Sequence, residues 1–238
     1  MSRFKAAWIM LGAAFCLVAS QAAIAPSLGG LLRRNLARQA ATYDSLDVKV
    51  APLGWYDLLR GRLGRVEIKA RQVTFGGPRL AALDMYLEGI EFAPGKLVLQ
   101  GEAVVERLGP SRVRAKVESD ALNEYRRRAY PAVPAFFQIR RDRVGLQGSL
   151  DLLGQTVTFR TNGRLEVEGV DRLRYIPTEI EVAGSRVQGS WLAAYGERLA
   201  LEFPLVLPLP LALRQVKLGD GFAELTWTDS SPESVVEN

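Results

Sequence analysis

Residues able to do chemistry are few in this chain, and their types restrict what it can be. The 238 residues include no histidine, which removes the commonest general base and the commonest metal ligand. The single cysteine, Cys16, lies inside an apolar N-terminal run. The rest of the chain therefore has no disulfide, no thiolate metal site and no cysteine nucleophile. Two carboxylate pairs, Glu166/Glu168 and Glu179/Glu181, are spaced i, i+2 and share a strand face. A glycosidase needs its carboxylates across a cleft from one another, so these pairs read as solvated faces. GIEFAPGKL runs one residue too long from Gly89 to Gly95-Lys96 for a phosphate loop, and Leu97 stands where a magnesium-binding serine or threonine would be. It reads as a turn before a strand. Nucleophile-elbow, dinucleotide and calcium-loop patterns are absent. The expectation is a protein that is not an enzyme and needs no metal or cofactor.

Two other segments carry physical chemistry of a different kind. Arg126, Arg127 and Arg128 form a basic run, followed by Arg140, Arg141 and Arg143. Beside a membrane such clusters meet phosphate headgroups, at about 1 kcal/mol per charge; away from one they are a solvated face. Between them lies YPAVPAFFQI, whose prolines place Phe136 and Phe137 on a loop or strand start, where they either plug the core or line a lipid entrance. The second segment, FPLVLPLPLAL at 203–213, holds three prolines in seven residues. It cannot be a central strand and suits a sheet edge or rim. Leu205, Leu207, Leu209 and Leu211 share one parity and can face an apolar interior together. With Leu122 and Tyr125 of the helix described next, these aromatics and leucines are the candidate lipid-contacting residues, and Arg126–Arg128 the candidate headgroup contacts.

The elements positioning these residues are mostly strands. From Pro26 to about Asp44, Leu28, Leu31, Leu32, Leu36 and Ala40 recur at helical spacing with Arg33, Arg34 and Arg38 between them, which predicts an amphipathic helix. The period then falls to two. Leu46/Val48/Val50, Val66/Ile68/Ala70, Val113/Ala115/Val117, Leu165/Val167, Ile180/Val182 and Val216/Leu218 alternate with polar residues, the pattern of antiparallel strands with one wet face. FGGP, APGK, TNGR and LGDG read as turns. One helix interrupts, DALNEYRRRAY, with Ser119 as its expected N-cap, Asp120 and Glu124 toward its positive end and Pro131 as its stop. The predicted fold is α+β and β-rich, with a sheet that either folds over on itself or wraps helices and leaves an apolar groove. No linker divides residues 26–228; the tail 229–238 has a disordered composition.

Arg3 and Lys5 precede the apolar run at 6–25, the order of a secretory signal. Ser20-Gln21-Ala22 permits cleavage before Ala23, and about 20 apolar residues also suffice to span a bilayer. Signal peptide and retained anchor both remain open, and either places the remainder outside the cytoplasm. Cys16 follows Phe15, a poor context for lipidation. Beyond residue 22 the chain carries 29 basic and 26 acidic side chains. That mild excess falls short of the basic stripe a nucleic-acid binder concentrates.

Over residues 27–228 the chain resembles the LmeA-like phospholipid-binding family. The resemblance rests on VKVAPLGWYDLLRGRLGRVEIKARQVTFGGPRLAALDMYLEGIEF, VESDALNEYRR with its Leu122-Asn123 pair, GRLEVEGVDRLRYIPTEIEVAG and LPLPLALRQVKLGDGFAELTW, in that order. It implies a bacterial cell-envelope domain that binds phospholipid. It also implies a fold related to tubular lipid-binding domains, with a strongly curved antiparallel sheet around one or two helices, preceded by an N-terminal hydrophobic helix. The expected partners are phospholipid and membrane; a structural envelope scaffold that holds no lipid is the competing expectation.

Overall fold

The computed structural model describes residues 40–51, 60–93, 105–131, 134–152, 155–187, 200–207 and 209–229, with isolated positions in 30–37 and 54–57 and residue 95. The apolar run at 6–25 and the tail 230–238 lie outside the described residues. The N-terminal stretch is helical at Gly30, Arg33, Arg34, Leu36 and Ala37. There both arginines are exposed while Leu36 and Ala37 are half-buried, as the amphipathic spacing requires.

Thirteen strands form two antiparallel sheets among the described residues. The first comprises β1 (Ser45–Ala51), β2 (Arg62–Val73), β3 (Leu80–Phe92), β5 (Arg112–Glu118), β13 (Phe222–Asp229) and β12 (Leu211–Leu218) in that spatial order, with β4 (Val105–Arg107) also on β3. Alternation decides its faces. Val66, Ile68 and Ala70, then Leu83, Met85 and Leu87, then Val113, Ala115 and Val117, all point inward and are buried. On β2 and β3 the inward parity switches near Gln72 and Gly89, both at positive φ (51° and 55°). Such irregularities bend a sheet and increase its twist. The second sheet runs β10 (Ser185–Val187), β9 (Arg172–Val182), β8 (Gln155–Glu168), β7 (Val144–Leu152), β6 (Ala135–Ile139), with β11 (Leu201–Pro204) also on β9.

The strands thus divide between two sheets instead of one continuous sheet. The physical reason is local: the chain leaves the first sheet at Glu118, enters helix α1 (Ser119–Ala129), and meets Pro131 and Pro134 before β6 begins. Prolines lack the N–H that would continue a ladder. The sheets are then fastened side by side through α1. The Asn123 side chain accepts from the Phe137 N–H (2.6 Å) and donates to the Phe137 carbonyl (3.0 Å), pairing the open edge of β6 as a neighbouring strand would. Ser119 Oγ accepts from the Ile139 N–H (3.1 Å) and donates to the Gly221 carbonyl (3.1 Å). Ser119 is therefore a staple between sheets and the first helical residue; Glu118 holds the N-cap position without a side-chain cap.

A second expectation fails at TNGR, which lies inside β8 with a register shift at Asn162/Gly163. Glycine is there for close approach: a Cβ on Gly163 would strike the Ile176 carbonyl and the Tyr175 ring. The FGGP and LGDG turns do join β2 to β3 and β12 to β13. Asp229, grouped with the tail by composition, ends β13.

Both sheets contribute to one apolar core. Phe137 packs edge-on against Tyr175 (centroids 5.3 Å) and Phe203 (5.4 Å). The fully buried Tyr175 hydroxyl sits 2.6 Å from Thr161 Oγ1. Burial pushes the phenol up to about 12, against a smaller downward effect of the Thr161 hydrogen bond.

Candidate functional site

Apolar residues line two narrow clefts, one between the N-terminal stretch and the first sheet, the other between the first sheet and the segment at the end of β11. In the first, Leu36, Ala40 and Tyr43 cover Ile68, Ala70, Val73, Leu83 and Met85, leaving about 10 Å³ of free space. In the second, Gly77, Pro78 and Leu80 face Pro204, Leu205 and Leu207 over Trp227, around about 10 Å³. Phe75 lines both, and Val73 of the first is the cross-strand partner of Leu80 in the second, so the two clefts are neighbours. Each has room for about one water molecule, far below ordinary ligand pockets of ~300–1,000 Å³, so an acyl chain enters only where the walls part. Gly77 fixes the second wall, because a Cβ there would overlap the Pro204 carbonyl oxygen.

A basic cleft adjoins the second of these. Arg79, which separates Pro78 from Leu80 in sequence, lines an open cleft of about 450 Å³ together with Asp120, Asn123, Glu124, Arg126, Arg127 and Phe136. Burial, and secondarily the neighbouring charge of Arg127, lowers the Arg126 guanidinium pKa from its ordinary value. Arg126 is 7 % exposed, whereas Arg127 is exposed. Glu124 bridges Arg79 (3.7 Å) and Arg128 (3.8 Å); both pairs are solvent-exposed and worth ~0–1 kcal/mol. The arrangement suits an amphiphile: apolar walls beside cationic donors, meeting at residues 78–80.

The residues singled out by sequence distribute unevenly over this site. Leu205 (buried) and Leu207 (half-buried) line the second apolar cleft. Leu209 and Leu211 pack on the same core but outside both clefts. Leu122 is fully buried, Tyr125 leans on Phe203 (5.8 Å), and Phe137 lies in the core. Phe136, 48 % exposed, walls the basic cleft beside Arg126 and Arg127. Arg128 is exposed and outside the lining. Sequence reasoning missed Phe75, Gly77, Pro78, Arg79 and Trp227. The FGGPRL turn held the signal, since an arginine directly after a tight turn sits at a strand end, but its neighbours across the sheets are set only by register.

Among the described residues no helix is long and apolar enough to cross a membrane, and no cluster of acids and cysteines could hold a metal. Fold and site define a two-sheet β-rich protein with a helix at the sheet junction and narrow apolar clefts near a basic one. The profile of the family described as LmeA-like phospholipid-binding matches residues 23–225, and the chain belongs to that family. No curated protein and no solved structure matches it.

Proposed function

We propose that this protein binds phospholipid in the bacterial cell envelope without catalysing a reaction, holding acyl chains in the clefts that Phe75 lines and the headgroup phosphate against Arg79, Arg126 and Arg127. One observation carries the reading: the second apolar cleft and the three-arginine cleft meet at consecutive residues, Pro78-Arg79-Leu80. Burying acyl methylenes supplies about 0.8 kcal/mol each, and a guanidinium donates paired hydrogen bonds to phosphate oxygens. Family membership supports phospholipid as the ligand. The bent first sheet and the helix at the sheet junction agree with a relation to tubular lipid-binding domains, in which a curved sheet wraps a helix. The 6–25 segment, as a hydrophobic helix, either tethers the domain to the outer face of the cytoplasmic membrane or is removed to release a carrier into the periplasm or medium.

The small cleft volumes favour a second reading, a scaffold closed by its own side chains. A photoactivatable phospholipid separates the two. Incubated with the full chain and mapped by mass spectrometry, it labels peptides containing Val73–Leu80 and Leu205–Leu207 if these clefts hold lipid. Labelling confined to other regions, together with no phospholipid in an organic extract of the 26–238 fragment, leaves the scaffold reading.

A further inference from the structure

We propose that the outer face of the second sheet along β6 docks this protein on an anionic phospholipid bilayer, with Phe136 entering the interface between two arginine-lined clefts. This goes beyond the binding of a lipid molecule in the apolar clefts and stands without it. Alternation along the edge strand β6 buries Ala135, Phe137 and Ile139 and turns Phe136 and Gln138 outward. Phe136 is among the few large apolar side chains left exposed. On one side of it lies the cleft of Arg79, Arg126 and Arg127. On the other, Arg140, Arg143 and Arg160 line a second open cleft of about 320 Å³ with Gln138, Gln147 and Asn162, and no carboxylate belongs to its lining.

Gly145 makes that second cleft. It pairs with Gln138 on one side and Asn162 on the other, and its missing side chain leaves a hollow where an added Cβ would meet only ordinary contacts at 3.7–4.0 Å. Acids lie nearby, and one of them pairs with a lining arginine. Asp142 pairs with Arg143 (3.6 Å), Glu179 accepts from Asn162 (3.0 Å), and Glu181 lies opposite Arg160 in register. Among the described residues neither Arg140 nor Arg160 forms an ion pair with a carboxylate. None of the residues lining this cleft lines either apolar cleft, so its arginines are free to meet headgroups other than that of a bound lipid. Cations spread over two clefts with an aromatic between them match a charged surface with an apolar interior, since aromatic rings sit at headgroup level and basic residues are drawn to anionic leaflets.

The test uses the full chain in vesicles of phosphatidylcholine with a rising fraction of phosphatidylglycerol. An environment-sensitive dye is placed at Gln147→Cys, the cross-strand partner of Phe136, in a Cys16→Ala background. A second reporter at Asp84→Cys occupies the exposed face of the first sheet. Docking gives a blue shift at 147 that grows with phosphatidylglycerol and reverses with salt, with none at 84. At roughly fivefold per arginine, R140Q/R143Q/R160Q shifts the docking equilibrium ~100-fold and holds the dye at its phosphatidylcholine value. Gly145→Leu, which fills the hollow, weakens the response in the same direction. The equally discharged R71Q/R112Q/R114Q, on the exposed face of the first sheet, responds as the unmodified chain does. Equal shifts at both reporters, no dependence on phosphatidylglycerol, or equal loss in both triple variants overturns the proposal. Lipid cross-linking at Val73–Leu80 persists in R140Q/R143Q/R160Q; its absence from every variant while docking survives breaks only the cargo reading.

Discussion

Replacing Asn123 with alanine tests how the two sheets are held together. The side chain is half-buried, and its amide is the hydrogen-bond partner of both the N–H and the C=O of Phe137 at 2.6 and 3.0 Å. Phe137 is 2 % exposed, on the edge of β6 that faces away from β7. Truncation leaves one donor and one acceptor unpaired. Each costs ~1 kcal/mol where water can replace the amide and up to ~3 kcal/mol where it cannot, so Asn123→Ala should lose roughly 2–4 kcal/mol. At ~2–4 °C per kcal/mol for a domain of this size, Tm falls by roughly 5–15 °C. Denaturant titration should show a lower midpoint with unchanged slope. Asn123→Asp sharpens the test, because a carboxylate still accepts from the Phe137 N–H but opposes the Phe137 carbonyl. That raises the carboxyl pKa above its unfolded ~4, so the protonated form, which can donate again, is favoured in the fold. Its stability is therefore greatest below about pH 4 and lost as pH rises, whereas Asn123→Ala shows no such recovery. An Asn123→Ala loss under ~0.5 kcal/mol, the scale of ordinary surface changes, would refute the edge-pairing argument.

Three further outcomes follow from the geometry. Gly77→Ala forces a Cβ against the Pro204 carbonyl, so it should cost ~1–3 kcal/mol and reduce phospholipid uptake in a fluorescent-lipid assay; normal uptake and stability would show that the wall yields freely. Tyr175 holds its proton to about pH 12 in the fold and to 10.0 outside it. Its contribution is whole below pH 10 and declines as pH rises to about 12, by ~1.4 kcal/mol per unit. Tyr175→Phe should therefore lose less stability than the unmodified protein between those values, and parallel pH curves would contradict it. Arg126→Met keeps the buried stem but removes the cation. It should weaken binding of anionic phospholipid ~10–100-fold, the ~1.5–3 kcal/mol of a charge-assisted hydrogen bond, as measured by competition against the labelled lipid; equal affinity would remove Arg126 from the headgroup site.

Sequence alone determined the strands whose alternation is unbroken, since burial of one face imposes period two on Val66/Ile68/Ala70 and Val113/Ala115/Val117, all buried as read. It also determined the helix at 119–129 with its proline stop, and the rim character of 203–213, because those signals act over a few residues. TNGR misled because its glycine serves a close approach by Tyr175 and Ile176, on a different strand. Tertiary structure decided the rest. The two sheets are joined where Ser119 and Asn123 pair an edge more than ten residues onward, a contact without periodicity. Arg79 joins Arg126 and Arg127 only through the strand register of β3 and β5. The chemistry-bearing residues were visible as types and runs, but which of them share a cleft depends on long-range pairing, and no local pattern encodes that.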